Sequence, residues 1–121
     1  GMQIMAESSE EGKLKGLNWV QGKVLRFPSD NKLPTNIPHM GWNSINFVKE
    51  SPLFFGIQEP YFYFLHSYYF LPEKEEITIG KTYSGNQFTS IFKYKNFYGT
   101  QFHPEKSHQN GIQLLRNFAL I

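Results

Sequence analysis

The sequence predicts a layered α/β or α+β structure in which consecutive strands, joined by short turns, are closed by one packing helix. Three observations predict it. Aromatic residues make up 17% of the chain and are mostly Phe and Tyr, which suit a pleated, half-buried surface. Turn signals at Ser84-Gly85-Asn86 and Lys95-Asn96 divide apolar stretches of strand length. Residues 111–120 then switch to helical spacing, with Ile112, Leu115 and Ala119 on one stripe and Leu114 and Phe118 beside it.

From the start, Met2, Met5 and Ala6 recur at helical spacing, which predicts a short helix over residues 2–9. A charged loop with Gly12 follows. Residues 17–27 read as a strand with a bend or bulge at Gly22. Residues 28–30 form a turn. Residues 32–39 must be an edge strand or extended segment, because Pro34 and Pro38 each remove a backbone donor. Gly41-Trp42-Asn43 is expected to reverse the chain. Ser51-Pro52 predicts an N-cap with proline at the first helical position, opening a single turn through Phe54.

Residues 61–70 are almost all aromatic or apolar, which predicts one strand covered on both faces. Residues 76–83 form the next strand, with Ile77 and Ile79 outside a break at Gly80. In residues 88–94, Phe88, Ser90, Phe92 and Tyr94 share a face, and residues 97–102 complete the set. The 121 residues fit one domain with a single core, and there is no internal repeat or low-complexity tract.

Composition narrows the functional classes. A net charge of +2 with dispersed basic residues leaves no nucleic-acid footprint. Lys and Arg do not interleave with the aromatics of residues 61–70, so those aromatics read as core and no nucleic-acid partner is expected. The longest apolar run, residues 61–71, carries His66 and Ser67 in its middle, so no membrane partner is expected either. There is no secretory pattern at the start, and no cysteine to form disulfides. A cytoplasmic location is expected.

The chemistry concentrates at the end of the last strand, in His103-Pro104-Glu105. A histidine acting as general base needs its second ring nitrogen held, usually by a carboxylate that fixes the tautomer. In extended backbone, residues two apart point to the same side, and Pro104 holds His103 in the extended region. Glu105 can therefore reach His103. His108 extends the string to H-x-E-x-x-H, but Pro104 disfavours the regular helix that would aim metal ligands, and no metal is expected.

The stretch QFHPEKS at residues 101–107, followed by a glycine and an apolar helix, resembles the His/Glu motif of class I glutamine amidotransferases. PHMGWN at residues 38–43, YFYFLHSYY at 61–69 and FTS at 88–90 resemble blocks of the glutaminase subunit of imidazole glycerol phosphate synthase, in the same order. The likeness runs from about Gly16 to Leu120. It implies an α/β fold: the C-terminal portion of a flavodoxin-like, three-layer domain with its N-terminal strands missing.

The resemblance also implies roles. A cysteine thiolate attacks the side-chain amide of L-glutamine, releasing ammonia, and water then cleaves the thioester. His103 is the implied base and Glu105 its orienter. His66, Ser67 and Tyr68 are implied to hold the α-amino and α-carboxylate groups of glutamine, with Gln3 contacting the same substrate. Trp42 and Asn43 are implied to face a (β/α)8-barrel synthase (cyclase) subunit that receives the ammonia. No cofactor is implied. Ser107 reads as a cap for the last helix.

The chain has no cysteine, and the match begins just after the place where the family carries its nucleophile. The expectation is that the natural protein is longer, that these residues alone are inactive, and that bare strand edges drive self-association. Two other functions fit the same motifs. One is a related subunit feeding ammonia to a surface-polysaccharide sugar synthase; the other is a non-catalytic binding or scaffold protein.

Overall fold

The computed structural model describes Met2, residues 8–9, Leu17, residues 20–26 and residues 39–121. Gln3, the loop of residues 10–15, the turn at 28–30 and most of the extended segment at 32–39 lie outside the described residues. So does most of the expected helix at 2–9, where Met2 falls in a turn and Ser8–Ser9 is a short strand, β1.

β1 pairs in parallel with β2, Gly22–Arg26. Within the expected strand at 17–27, Gly22 begins the regular pairing. A Cβ there would lie 2.6 Å from the Leu71 carbonyl and from the Phe70 ring, so only glycine permits this approach. β3, His39–Ser44, leads into β4, Asn46–Phe47. Gly41, Trp42 and Asn43 thus lie inside a strand and do not reverse the chain. Six successive pairs with β5, Tyr61–His66, hold them in the ladder, and Gly41 has a positive φ of 118° within it.

Residues 61–70 are also two strands instead of one. β5 stops at His66, Ser67 bends, and β6, Tyr68–Pro72, pairs antiparallel with β2. β5 alternates, with Phe62 and Phe64 buried while Tyr61 and Leu65 face outward. The strand covered on both faces is further on. β7, Thr78–Ser84, turns through Gly85 (φ 78°) into β8, Asn86–Tyr94, where residues 88–92 are all buried. β9, Phe97–Thr100, completes an antiparallel sheet of order β4-β7-β8-β9.

β8 serves two cores. Phe88 and Ile91 join Phe62, Phe64, Phe102 and Leu114 in the larger one, while Phe92 packs with Val24 and Phe70 in the smaller. At the expected cap, the Ser51 hydroxyl accepts from the Leu53 N–H and opens a 3-10 turn over Pro52–Phe54.

The terminal helix, α1, spans His108–Ala119. Its buried face is not the predicted apolar stripe. Gly111, Leu114 and Asn117 face inward, while Ile112, Leu115 and Phe118 are about half exposed. Gly111 brings the helix so near the preceding turn that a Cβ would meet the Pro104 carbonyl at 1.8 Å. The Asn117 amide donates to the Leu53 carbonyl (2.8 Å) and the Phe55 carbonyl (2.7 Å), which fixes the inward face by hydrogen bonding.

Candidate functional site

β9 delivers the chain to His103, which is extended (φ −102°, ψ 98°) and precedes a 3-10 turn over Pro104–Lys106 with proline in its first turn. His103 Nδ1–H donates to Glu105 Oε1 over 2.9 Å, the juxtaposition the sequence predicts. A carboxylate can only accept, so this bond places the proton on Nδ1 and leaves the Nε2 lone pair as the basic site. The Glu105 carboxyl titrates below the usual carboxylate range, held there first by a backbone hydrogen bond, against the opposing effect of burial, with the His103 ring and Lys106 adding to the lowering.

Two hydrogen bonds tie this turn to β5: the His103 N–H donates to the Tyr63 carbonyl (2.9 Å), and the Tyr63 N–H donates to the Ser107 side-chain Oγ (3.0 Å). Ser107 does not cap α1, since its hydroxyl donates to the His103 carbonyl at 2.7 Å. Sequence reasoning missed this role. Its signal, a serine four residues after the histidine and buried under a glycine-containing helix, is indistinguishable in sequence from a helix cap.

A cleft of about 610 Å³ opens beside the pair, lined by Leu65, His66, Ser67 and Tyr68 from the β5–β6 bend and by residues 101–105. His66, Ser67 and Tyr68 thus line one cleft with His103 and Glu105. His66 enters it in an unexpected way, because both ring nitrogens are engaged by the protein itself. Nδ1–H donates to the Tyr68 carbonyl (2.7 Å), and Nε2 accepts from His39 Nδ1–H (2.9 Å). His39 Nε2 in turn accepts from the Asn43 amide (3.2 Å), which also donates to the Tyr83 carbonyl while its oxygen takes the Ser44 N–H. The backbone groups at both ends fix the proton order, and both imidazoles are neutral. Burial, with the neighbouring His39 and His103 rings helping, lowers the His66 pKa to about 4 against the opposing hydrogen bond to Tyr68. Burial also lowers that of His39. His66 is therefore a wall of the cleft that shapes the Ser67–Tyr68 bend, and its imidazole has no nitrogen left for a ligand's charged groups.

Trp42 and Asn43, expected near the docking face, alternate along β3. Alternation along β3 turns Asn43 inward to His39. Trp42 lies outside in a ladder of rings, stacked on His108 (5.2 Å) and Tyr61 (5.9 Å), with Tyr63 edge-on at 6.1 Å. His108 stacks on Trp42, and among the described residues no group of three His, Asp or Glu side chains could hold a metal ion. Among the described residues no helix is long and apolar enough to cross a membrane.

A histidine held in one tautomer by a carboxylate at the wall of a cleft has the geometry of a general base. The chain belongs to the family Glutamine amidotransferase class-I, whose pattern it matches along residues 1–121. Among curated proteins it is similar to the imidazole glycerol phosphate synthase subunit HisH of Leptospira borgpetersenii, with 49% identity covering 98% of this chain and 59% of that protein. The subunit of the same name from Methanocaldococcus jannaschii is 48% identical with the same coverage. The chain thus spans about three fifths of the length of these relatives. The crystal structure of a protein from Thermoplasma acidophilum, described as belonging to GMP synthase, shares the fold at TM-score 0.60 and 22% identity, over 80% of this chain and 46% of that one. The strand-rich chain with a C-terminal helix expected from sequence is thus consistent with part of the fold of this family.

Proposed function

We propose that this chain is the histidine-bearing portion of a glutaminase subunit that hydrolyses L-glutamine and passes ammonia to imidazole glycerol phosphate synthesis, in histidine biosynthesis. The observation that carries the reading is the 2.9 Å His103–Glu105 pair at the cleft wall, in a chain 49% identical to a HisH subunit. In this reading a thiolate attacks the amide carbon of glutamine. His103 Nε2 has taken the thiol proton and returns it to the departing nitrogen, so that ammonia leaves and a glutamyl thioester remains. Water then attacks as His103 accepts its proton, and glutamate departs as the thiolate is restored. Glu105 keeps the imidazole in one tautomer and stabilises its charged form between these steps.

The 121 residues contain no cysteine, so the thiol must come from outside them, and the chain by itself is inactive. Gln3, Ser67 and Tyr68 hold the glutamine backbone groups, and His66 shapes the Ser67–Tyr68 bend. The Trp42 ring ladder docks the (β/α)8-barrel cyclase subunit, since large flat aromatics with one exposed edge are the residues that anchor such interfaces. The test supplies the chain with the preceding, cysteine-bearing segment and the barrel partner, then measures ammonia released from glutamine. Glutamine-dependent ammonia is expected, with Trp42→Ala weakening partner binding about tenfold or more. A restored protein that binds the partner and releases no ammonia would overturn the proposal.

A further inference from the structure

The inward-facing hydroxyl of Ser107 bonds the backbone of the base and is not used by the reaction above. Ser107 is 1% exposed, and its oxygen serves two backbone groups at once, accepting from the Tyr63 N–H (3.0 Å) and donating to the His103 carbonyl (2.7 Å). A hydroxyl has one proton and two lone pairs, so the pattern uses it as donor and acceptor together. The His103 N–H meanwhile donates to the Tyr63 carbonyl (2.9 Å). Tyr63 pairs with Trp42 on its other side, so at this point Ser107 and His103 take the place of a third strand beside β5.

The same turn is braced from behind. The His103 carbonyl also accepts from the Lys106 N–H (3.0 Å), the Ser107 N–H donates to the Pro104 carbonyl (3.0 Å), and Gly111 lets α1 press onto that carbonyl. Without the hydroxyl, the Tyr63 N–H loses its acceptor and the His103 carbonyl one of its donors. His103 is then held to the sheet by a single bond.

We infer that Ser107 is a positioning residue for the base, its hydroxyl fixing the His103 backbone to β5 so that the imidazole meets Glu105 in one orientation. This role rests on the reading of His103 as general base, and the test separates the two. Histidine labelled with 15N in the intact chain reports the tautomer of each ring, and amide exchange reports the Tyr63 N–H. In the unaltered chain, His103 is expected as a single Nδ1–H form when neutral. Ser107→Ala is expected to convert it to a mixture of tautomers and to speed Tyr63 amide exchange by about tenfold, while the Phe62 and Phe64 amides stay protected. Ser107→Cys, which keeps the shape but hydrogen-bonds weakly, shifts the same signals less and decides the matter should the alanine variant not fold. An unchanged Nδ1–H signal in the variants overturns the role of Ser107 and leaves the base assignment standing. Loss of that signal in the unaltered chain overturns both.

Discussion

Acidification should destabilise this protein through His66, by an amount the structure sets. The ring is buried, both its nitrogens are engaged in a neutral chain of hydrogen bonds, and its pKa falls from 6.5 to about 4. Between those values the unfolded chain binds a proton that the folded one refuses, so stability held above pH 6.5 is lost as pH falls toward 4. The full difference is on the order of 3 kcal/mol, of which about 2 kcal/mol falls between pH 7 and about pH 4.5. His39 shifts in the same direction and adds to the loss. So does Glu105, more weakly and at lower pH. Urea unfolding followed by tryptophan fluorescence across this range measures the slope, and His66→Phe isolates the contribution of the ring. The variant, less stable at neutral pH because it removes the hydrogen bonds of the ring to the Tyr68 carbonyl and to His39, should show a visibly flatter dependence. Parallel curves for the two proteins would refute the reasoning.

Gly111→Ala should cost about 2–4 kcal/mol, because its methyl would overlap the Pro104 carbonyl and force α1 away from the turn that carries His103 and Glu105; urea midpoints measure it. Asn117→Ala removes both donors to the Leu53 and Phe55 carbonyls and should cost about 2 kcal/mol in the same assay. The chain should also self-associate, since Ile112, Leu115 and Phe118 are about half exposed along α1. Size-exclusion chromatography with light scattering should give a dimer or larger species, and a monomer would contradict this.

The sequence made local signals legible and left long-range ones hidden. Turn residues at 84–86, the Ser51-Pro52 cap and the extended step at His103-Pro104 act within a few residues, and each appears where the residues predict. The break at Ser67 was not legible, because β5 and β6 differ only in their partners: β3 for one, β2 for the other. The inward face of α1 was misread for a related reason. Its hydropathy favours Ile112 and Leu115, but close approach at Gly111 and hydrogen bonding at Asn117 decide the rotation. At the site, the His103–Glu105 pairing follows from two-residue spacing, whereas the His39–His66 chain joins residues 27 apart and only the ladder between β3 and β5 brings them together.

If the His103 imidazole, held by Glu105, transfers the protons of glutamine hydrolysis as proposed, removing it removes the base. The most direct test is the rate of ammonia release by the restored, cysteine-bearing protein with His103 changed to alanine. A fall in kcat of at least about a hundredfold, with the fold and partner binding intact, is the expected result. A variant that releases ammonia at the unaltered rate would contradict the account.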